Sequence, residues 1–154
     1  MSDFEIRPAS AADQDEVERL LRATKLPPDG LDEQFGETYA VAVADGRIVG
    51  AAGVEVYGGA GLLRSVAVDP AWQGRGLGAA LTRERLAWAE ARGLDSVYLM
   101  TNTAADYFPK LGFTPVPRDN VPEGIRDSLQ FATVCPSTAN VLMLKLHATS
   151  AATA

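Results

Sequence analysis

Two rhythms of apolar residues run along this chain. Phe4-Glu5-Ile6-Arg7 alternates and stops at Pro8, which predicts a short first strand. Val17, Leu20, Leu21 and Thr24 recur at helical spacing, so a helix is predicted over 11–24. Ser10 can cap it, with Asp13 three residues later. Pro27-Pro28-Asp29-Gly30 breaks the pattern, and Leu31 to Phe35 reads as a second short helix. Tyr39 to Ala44 and Arg47 to Tyr57 read as strands joined at Asp45-Gly46, a two-residue hairpin signal. Gly58 to Gly61 then turn the chain into Leu62 to Val68, a mostly apolar strand bounded by Asp69-Pro70.

The second half alternates helices and strands. A helix is predicted from Gly76 to about Ala91, with Leu77, Ala80, Leu81, Ala87, Trp88 and Ala91 in one arc. Glu84 falls inside that arc, Leu86 falls outside it, and Gly93 ends the helix. Ser96 to Thr101 reads as a buried strand and Ala104 to Leu111 as a short helix closed by Gly112. Phe113 to Val116 begins a strand, Val121 to Phe131 reads as a helix, and Val141 to Leu146 is the last strand. This succession predicts one α/β domain over 1–147, with a mixed sheet flanked by helices and a disordered tail over 148–154. If the turn over Gly58 to Gly61 closes a regular four-residue hairpin, Tyr57 faces Leu62, Val56 faces Leu63 and Glu55 lies opposite Arg64.

Composition narrows the partners. The chain has 154 residues, enough for one domain with a proper core, and 47% hydrophobic with 22% charged residues is ordinary for a globular protein. A net charge of −6 without any basic run argues against nucleic acid or an anionic membrane as partner. Cys135 is the one cysteine, which excludes an internal disulfide and a multi-thiol metal site, and no metal is expected. The opening MSDFEIRP lacks the apolar core of a secretion signal and no run is long enough to span a membrane. A cytoplasmic protein is therefore expected.

The chemistry concentrates between Val66 and Ala79. A strand end is followed by Gln73-Gly74-Arg75-Gly76-Leu77-Gly78 and then by a helix. Such a turn lets backbone come close to a ligand, and the first helical N–H groups point outward, so the segment suits an anion. Two phosphate loops are excluded. G-x-x-x-x-G-K-[ST] is absent, because Ala79-Ala80 follow Gly78. G-x-G-x-x-G is not met either, and no acidic residue closes a strand about 20 residues on. What remains is Q-x-x-G-x-G directly after V-A-V-D-P. It resembles the acetyl-CoA pyrophosphate loop of the GNAT superfamily of N-acetyltransferases, a fold with a mixed, mostly antiparallel sheet. The stretch Asn102…Ala105…Leu111-Gly112-Phe113 resembles that superfamily's second cofactor segment. Within it, LLRSVAVDP, TNTAADYFPKLGF and VPEGIRDSLQFATVCPSTA look most like the arsenic-resistance-associated, ArsN-type branch.

The resemblance implies acetyl-CoA as co-substrate and a small amine as acceptor, an amino acid or an amine-bearing organoarsenical. Val66, Ala67 and Val68 match the strand end that hydrogen-bonds the pantetheine arm and thioester carbonyl. Gln73, Gly74, Arg75, Gly76, Leu77, Gly78 and Ala79 match the pyrophosphate loop, and Asn102 a residue near the pantetheine. A helix–loop–helix beside the cofactor strand usually forms the acceptor pocket, which makes Leu26, Leu31 and Phe35 its candidate walls. The family's acid is a tyrosine five residues before the phenylalanine of L-G-F. Here that position is Phe108 and the tyrosine is Tyr107, about 100° around a helix, so either Tyr107 or water protonates the leaving thiolate. A homodimer is the expectation by analogy.

Roles for the paired strands stay open. Glu55 is a candidate general base for the amine or half of an ion pair with Arg64. Arg64 is alternatively an anchor for an acidic acceptor, since a guanidinium matches carboxylate-like oxygens. His147 sits in the frayed end. Cys135 beside Pro136 reads as a small buried apolar residue, with an acetyl-cysteine nucleophile as the alternative. Two other functions keep the fold: acetylation of a protein N-terminus or lysine, and a non-catalytic acyl-CoA sensor.

Overall fold

The computed structural model describes residues 4–24, 35–101, 107–117, 120–126 and 140–146. Its strands are β1 (Glu5–Pro8), β2 (Tyr39–Ala44), β3 (Arg47–Tyr57), β4 (Ala60–Val68), β5 (Ser96–Thr101), β6 (Thr114–Pro115) and β7 (Asn140–Lys145). Its helices are α1 (Gln14–Ala23), α2 (Leu77–Ala91), α3 (Tyr107–Lys110) and α4 (Glu123–Arg126). The strands make one sheet in the order β1-β2-β3-β4-β5-β7-β6. Only β4 and β5 run parallel, which is the mixed, mostly antiparallel sheet the sequence predicts. Leu26, Leu31, Asn102, Cys135, His147 and the 148–154 tail lie outside the described residues, as does most of the helix expected from Leu31 to Phe35.

Side chains alternate between two covered faces. On one, Val17, Leu20 and Leu21 of α1 pack against Tyr39, Val41 and Ala51, while Ile125 of α4 meets Leu62 and Val141 further along. On the other, Leu77 and Leu81 of α2 pack on Ala40, Ala42, Val49 and Ala52. The strands under the helix carry small residues so that it can sit close. A Cβ at Gly50 would meet Leu81 Cδ1 at 2.9 Å.

Turn chemistry fixes the register. Asp45 and Gly46 both have positive φ, 51° and 75°, as a two-residue hairpin of matching twist requires. The next turn corrects the sequence expectation. It uses two residues, Gly58 and Gly59, and Tyr57 pairs with Ala60. Glu55 therefore opposes Leu62, and Arg64 opposes Gly53. Gly58, at φ 66°, lets the chain reverse that tightly. Gly61 is a packing glycine instead of a turn glycine: a Cβ there would meet Val54 Cγ1 at 2.6 Å. The slip is two residues, so the strand faces survive; a slip of one would have exchanged them.

The buried stripe of α2 also differs from the expected arc. Leu77, Leu81, Thr82, Arg85 and Ala89 are buried, whereas Ala87 and Ala91 are exposed. Hydropathy alone assigned the small alanines inward. The helix instead turns Arg85 inward, where its charge has partners. Gly93 (φ 89°) closes the helix, with Gly93 N donating to Glu90 O and Leu94 N to Ala89 O at 3.0 and 3.1 Å.

Candidate active site

The first half of the site is backbone. Between the pairs Ala51–Ala67 and Gly53–Arg64, Ser65 and Val66 of β4 together oppose Ala52. This is a bulge, and Ser65 holds φ 59° within it. β4 pairs with β5 only over Ala60, Gly61 and Leu62. From Leu63 onward, among the described residues, β4 has no ladder on its β5 side. A wedge opens between parallel strands there, and Val66, Ala67 and Val68 lie along it.

The chain then tightens. Asp69 N donates to Val49 O at 2.8 Å, and Asp69 Oδ1 accepts from Ala71 N at 2.9 Å, which caps a single 3₁₀ turn over Pro70–Trp72. Gln73 Nε2 donates to Val68 O at 3.1 Å, tying the loop to the strand end. Gly74 and Gly76 have φ of 81° and 78°, values at which a side chain would be strained. Ala80 N donates to Gly76 O at 3.0 Å, so the amides of Leu77, Gly78 and Ala79 have no acceptor within α2. Three outward N–H groups at the positive end of a helix fit a diphosphate. Arg75 is exposed beside them, with its guanidinium 4.7 Å from the Trp72 ring centre.

The second half is made of side chains from three strands. Tyr39, Gly53 and Arg64 form one row across β2, β3 and β4. Gly53 leaves room for the Tyr39 ring, which occupies the space a Cβ there would need. The ring lies 5.1 Å from that of Phe35. Its hydroxyl donates to Glu55 Oε2 at 2.6 Å, and the Tyr57 hydroxyl donates to Glu55 Oε1 at 2.8 Å. Arg64 Nη1 lies 3.5 Å from Glu55 Oε2, and Arg64 Nε contacts Ser65 Oγ at 3.0 Å. Glu55 is 1% exposed and Arg64 5%, so opposite charges are buried together. Burial pushes the Tyr39 hydroxyl above the ordinary phenol value; the Arg64 charge opposes the shift and the Glu55 charge adds to it. Tyr39 is thus held as a donor.

The fold brings Glu55 and Arg64 together on the same face, on a diagonal instead of directly across. Phe35 is half-buried against Tyr39. Tyr107 begins α3, and only its backbone is described; Leu26 and Asn102 lie outside the described residues. Phe108 is buried and meets Phe113 edge-on at 5.9 Å. Sequence patterns did not single out Tyr39, Tyr57, Ser65 or Arg85. The pairing of Tyr39 with Gly53 becomes legible only once register is known, and the Ser65 bulge has no residue-type signature. Among the described residues, no cluster of His, Cys, Asp or Glu could hold a metal, and no helix is long and apolar enough to cross a membrane.

Comparisons with known proteins find the same fold. The chain is 29% identical over 146 residues to the uncharacterized protein YwlB of Bacillus subtilis (strain 168), spanning 92% of this chain and 97% of that one. N-acetylglutamate synthase from Neisseria gonorrhoeae, solved with coenzyme A and N-acetyl-glutamate, superposes with a TM-score of 0.79 at 20% identity. That match takes in 96% of this chain but only 36% of the synthase. Rv2747 from Mycobacterium tuberculosis, solved in complex with CoA, superposes with a TM-score of 0.75 at 23% identity over 93% of this chain and 99% of its own. The family model for GNAT acetyltransferases matches residues 3–113. The chain belongs to the acetyltransferase (GNAT) family.

Proposed function

We propose that this protein transfers the acetyl group of acetyl-CoA to the amine of a small acceptor that also carries an anionic group. An amino acid or an amine-bearing organoarsenical has that chemistry, and the ArsN-like segments LLRSVAVDP and VPEGIRDSLQFATVCPSTA favour including the latter. One observation carries the proposal. The buried Arg64–Glu55 pair and its two tyrosines stand beside the bulge where β4 parts from β5. Charged side chains this deeply buried at the mouth of a cofactor wedge suit a charged acceptor.

The diphosphate would sit on the amides of Leu77, Gly78 and Ala79, framed by Gln73, Gly74, Arg75 and Gly76. Val66, Ala67 and Val68 would pair with the pantetheine arm, with Asn102 nearby. A neutral amine attacks the thioester carbonyl; the C–N bond forms, the nitrogen gives up one proton to water, the C–S bond breaks and the thiolate leaves. An amide at Val66 or Ala67 would steady the developing oxyanion, a contribution typically worth about 10²–10³ in rate. Tyr107, or water, protonates the thiolate, whose ordinary pKa near ~8.5 makes it a fair leaving group. With Tyr39, Tyr57 and Arg64 all on its oxygens, Glu55 suits holding Arg64 in place more than taking the amine proton. Arg64 then anchors the acceptor's anionic group, with Phe35 and Leu26 as walls.

Calorimetric titration with acetyl-CoA, followed by turnover with an amine panel that includes L-glutamate, tests this. Free thiol and an acetylated amine of the expected mass are the supporting result, with Arg64→Lys raising the acceptor KM at least about tenfold by losing the guanidinium fork. No heat with acetyl-CoA, or turnover that ignores the acceptor's anionic group, would refute it.

A further inference from the structure

Arg85 is the largest fully buried side chain in the described structure, and the chemistry above makes no use of it. It lies in the middle of α2, and its charge is fully accounted for. Nε and Nη2 donate to Glu84 Oε1 and Oε2 at 2.6 and 2.9 Å. Nη1 leaves the helix and donates to the Glu37 carbonyl at 2.7 Å. The guanidinium lies 4.8 Å from the Trp88 ring centre. About two turns further on, Arg92 lies over the same indole at 5.1 Å and reaches the Glu37 carboxylate at 3.4 Å. Two arginines stacked on one tryptophan thus converge on one residue, from its backbone and from its side chain.

Glu37 stands where this matters. It lies two residues before Tyr39, in a turn closed by Tyr39 N donating to Gly36 O at 2.9 Å. Thr38 O next accepts from Val54 N at 2.9 Å. The turn delivers Phe35 and Tyr39, and Tyr39 holds Glu55. The helix whose first amides face the cofactor wedge therefore grips, through its later turns, the segment that feeds the acceptor cluster.

We infer that Arg85, with Arg92 as a weaker second arm, is a positioning residue that clamps the turn at residues 35–38 to α2 and so sets the acceptor cluster against the cofactor loop. This rests on the acetyltransferase reaction proposed above. The arms are unequal. Arg85 is fully enclosed, while Arg92 and Glu37 are largely in water, where an ion pair contributes little. A carboxylate facing a cut clamp is also tolerable, because the Glu84 side chain is one-third exposed.

Hydrogen exchange read by mass spectrometry, on the whole chain without ligand, tests the clamp first. In Arg85→Met, amides over 35–41 should exchange at least about tenfold faster, while those over 60–68 stay within about twofold. Arg85→Lys should fall between, and it serves as the folded comparison if the methionine variant does not fold. Arg92→Ala should differ little from wild type. With whichever amine the panel identifies, Arg85→Lys should raise the acceptor KM roughly tenfold, since small misplacements are costly, and leave the acetyl-CoA KM within about twofold. Unchanged exchange over 35–41, an equal rise across the sheet, or both KM values moving together would overturn the inference. If wild type binds acetyl-CoA but acetylates no amine, the acceptor proposal has failed and the exchange pattern alone decides the clamp.

Discussion

The two halves of the site are built from opposite materials. The half proposed for the cofactor is backbone: a bulge at Ser65, two left-handed glycines and three amides without an acceptor in α2, all within a short run of sequence. The half proposed for the acceptor is side chain: Tyr39, Glu55, Tyr57 and Arg64 come from three strands and are joined by two hydrogen bonds and an ion pair, with Glu55 and Arg64 buried. A ligand can be bound by backbone with almost no stake in stability, because a helix holds together without bonds from its first amides. A buried ionic cluster has no such freedom, because each member satisfies another. Changes in the first half should therefore alter binding and spare the fold, and changes in the second should alter both.

The largest effect sharpens that contrast. Glu55→Ala leaves the Arg64 charge buried and takes the acceptor from two tyrosine hydroxyls, so it should destabilise the chain by about 3–5 kcal/mol. Scanning calorimetry should show Tm lower by roughly 6–20 °C; a fall under a few degrees would mean that water reaches the cluster and the contrast is false. Gly76→Val should do the reverse. Its φ of 78° costs a side chain about 1–2 kcal/mol, yet acetyl-CoA affinity by calorimetry should drop at least about tenfold. Tyr39→Phe should cost about 1–2 kcal/mol in urea unfolding, and Tyr57→Phe less, because only the Tyr39 hydroxyl is deeply buried. Equal costs would show that the two donors are equivalent.

The smallest effect comes from outside both halves. Arg7 donates to Asp13 at 2.8 and 3.0 Å, and that bond, aided by Ser10 N, holds the Asp13 carboxyl at about 2 against an ordinary 3.8. The stabilisation is complete above the ordinary value and fades as pH falls toward the folded one. With Arg7 42% exposed, about 1 kcal/mol should be lost between roughly pH 4 and pH 2 in wild type. Asp13→Asn should flatten that part of the unfolding profile.

The same division explains what the sequence made legible. Glycine positions, the Gln73 loop and the start of α2 follow from local rules, because backbone devices are contiguous in the chain. The hairpin at Asp45-Gly46 was equally plain. Glu55 and Arg64 were found as a pair through a register that was off by two residues, and parity alone kept them on one face. Tyr39 and Tyr57 could not be found without the true register. Arg85 was hidden because hydropathy treats a charge on the inner arc as a flaw, whereas two glutamates and an indole supply its partners.

Gly53 carries the quietest consequence. It offers the buried Glu55–Arg64 cluster no side-chain atom of its own, yet the Tyr39 ring lies in the room it vacates. Even a methyl group there would evict the phenol and silence the shortest bond to Glu55. Among homologues of this chain, a larger residue at that position should travel with loss of the tyrosine, so an atom that is missing governs the identity of one across the sheet.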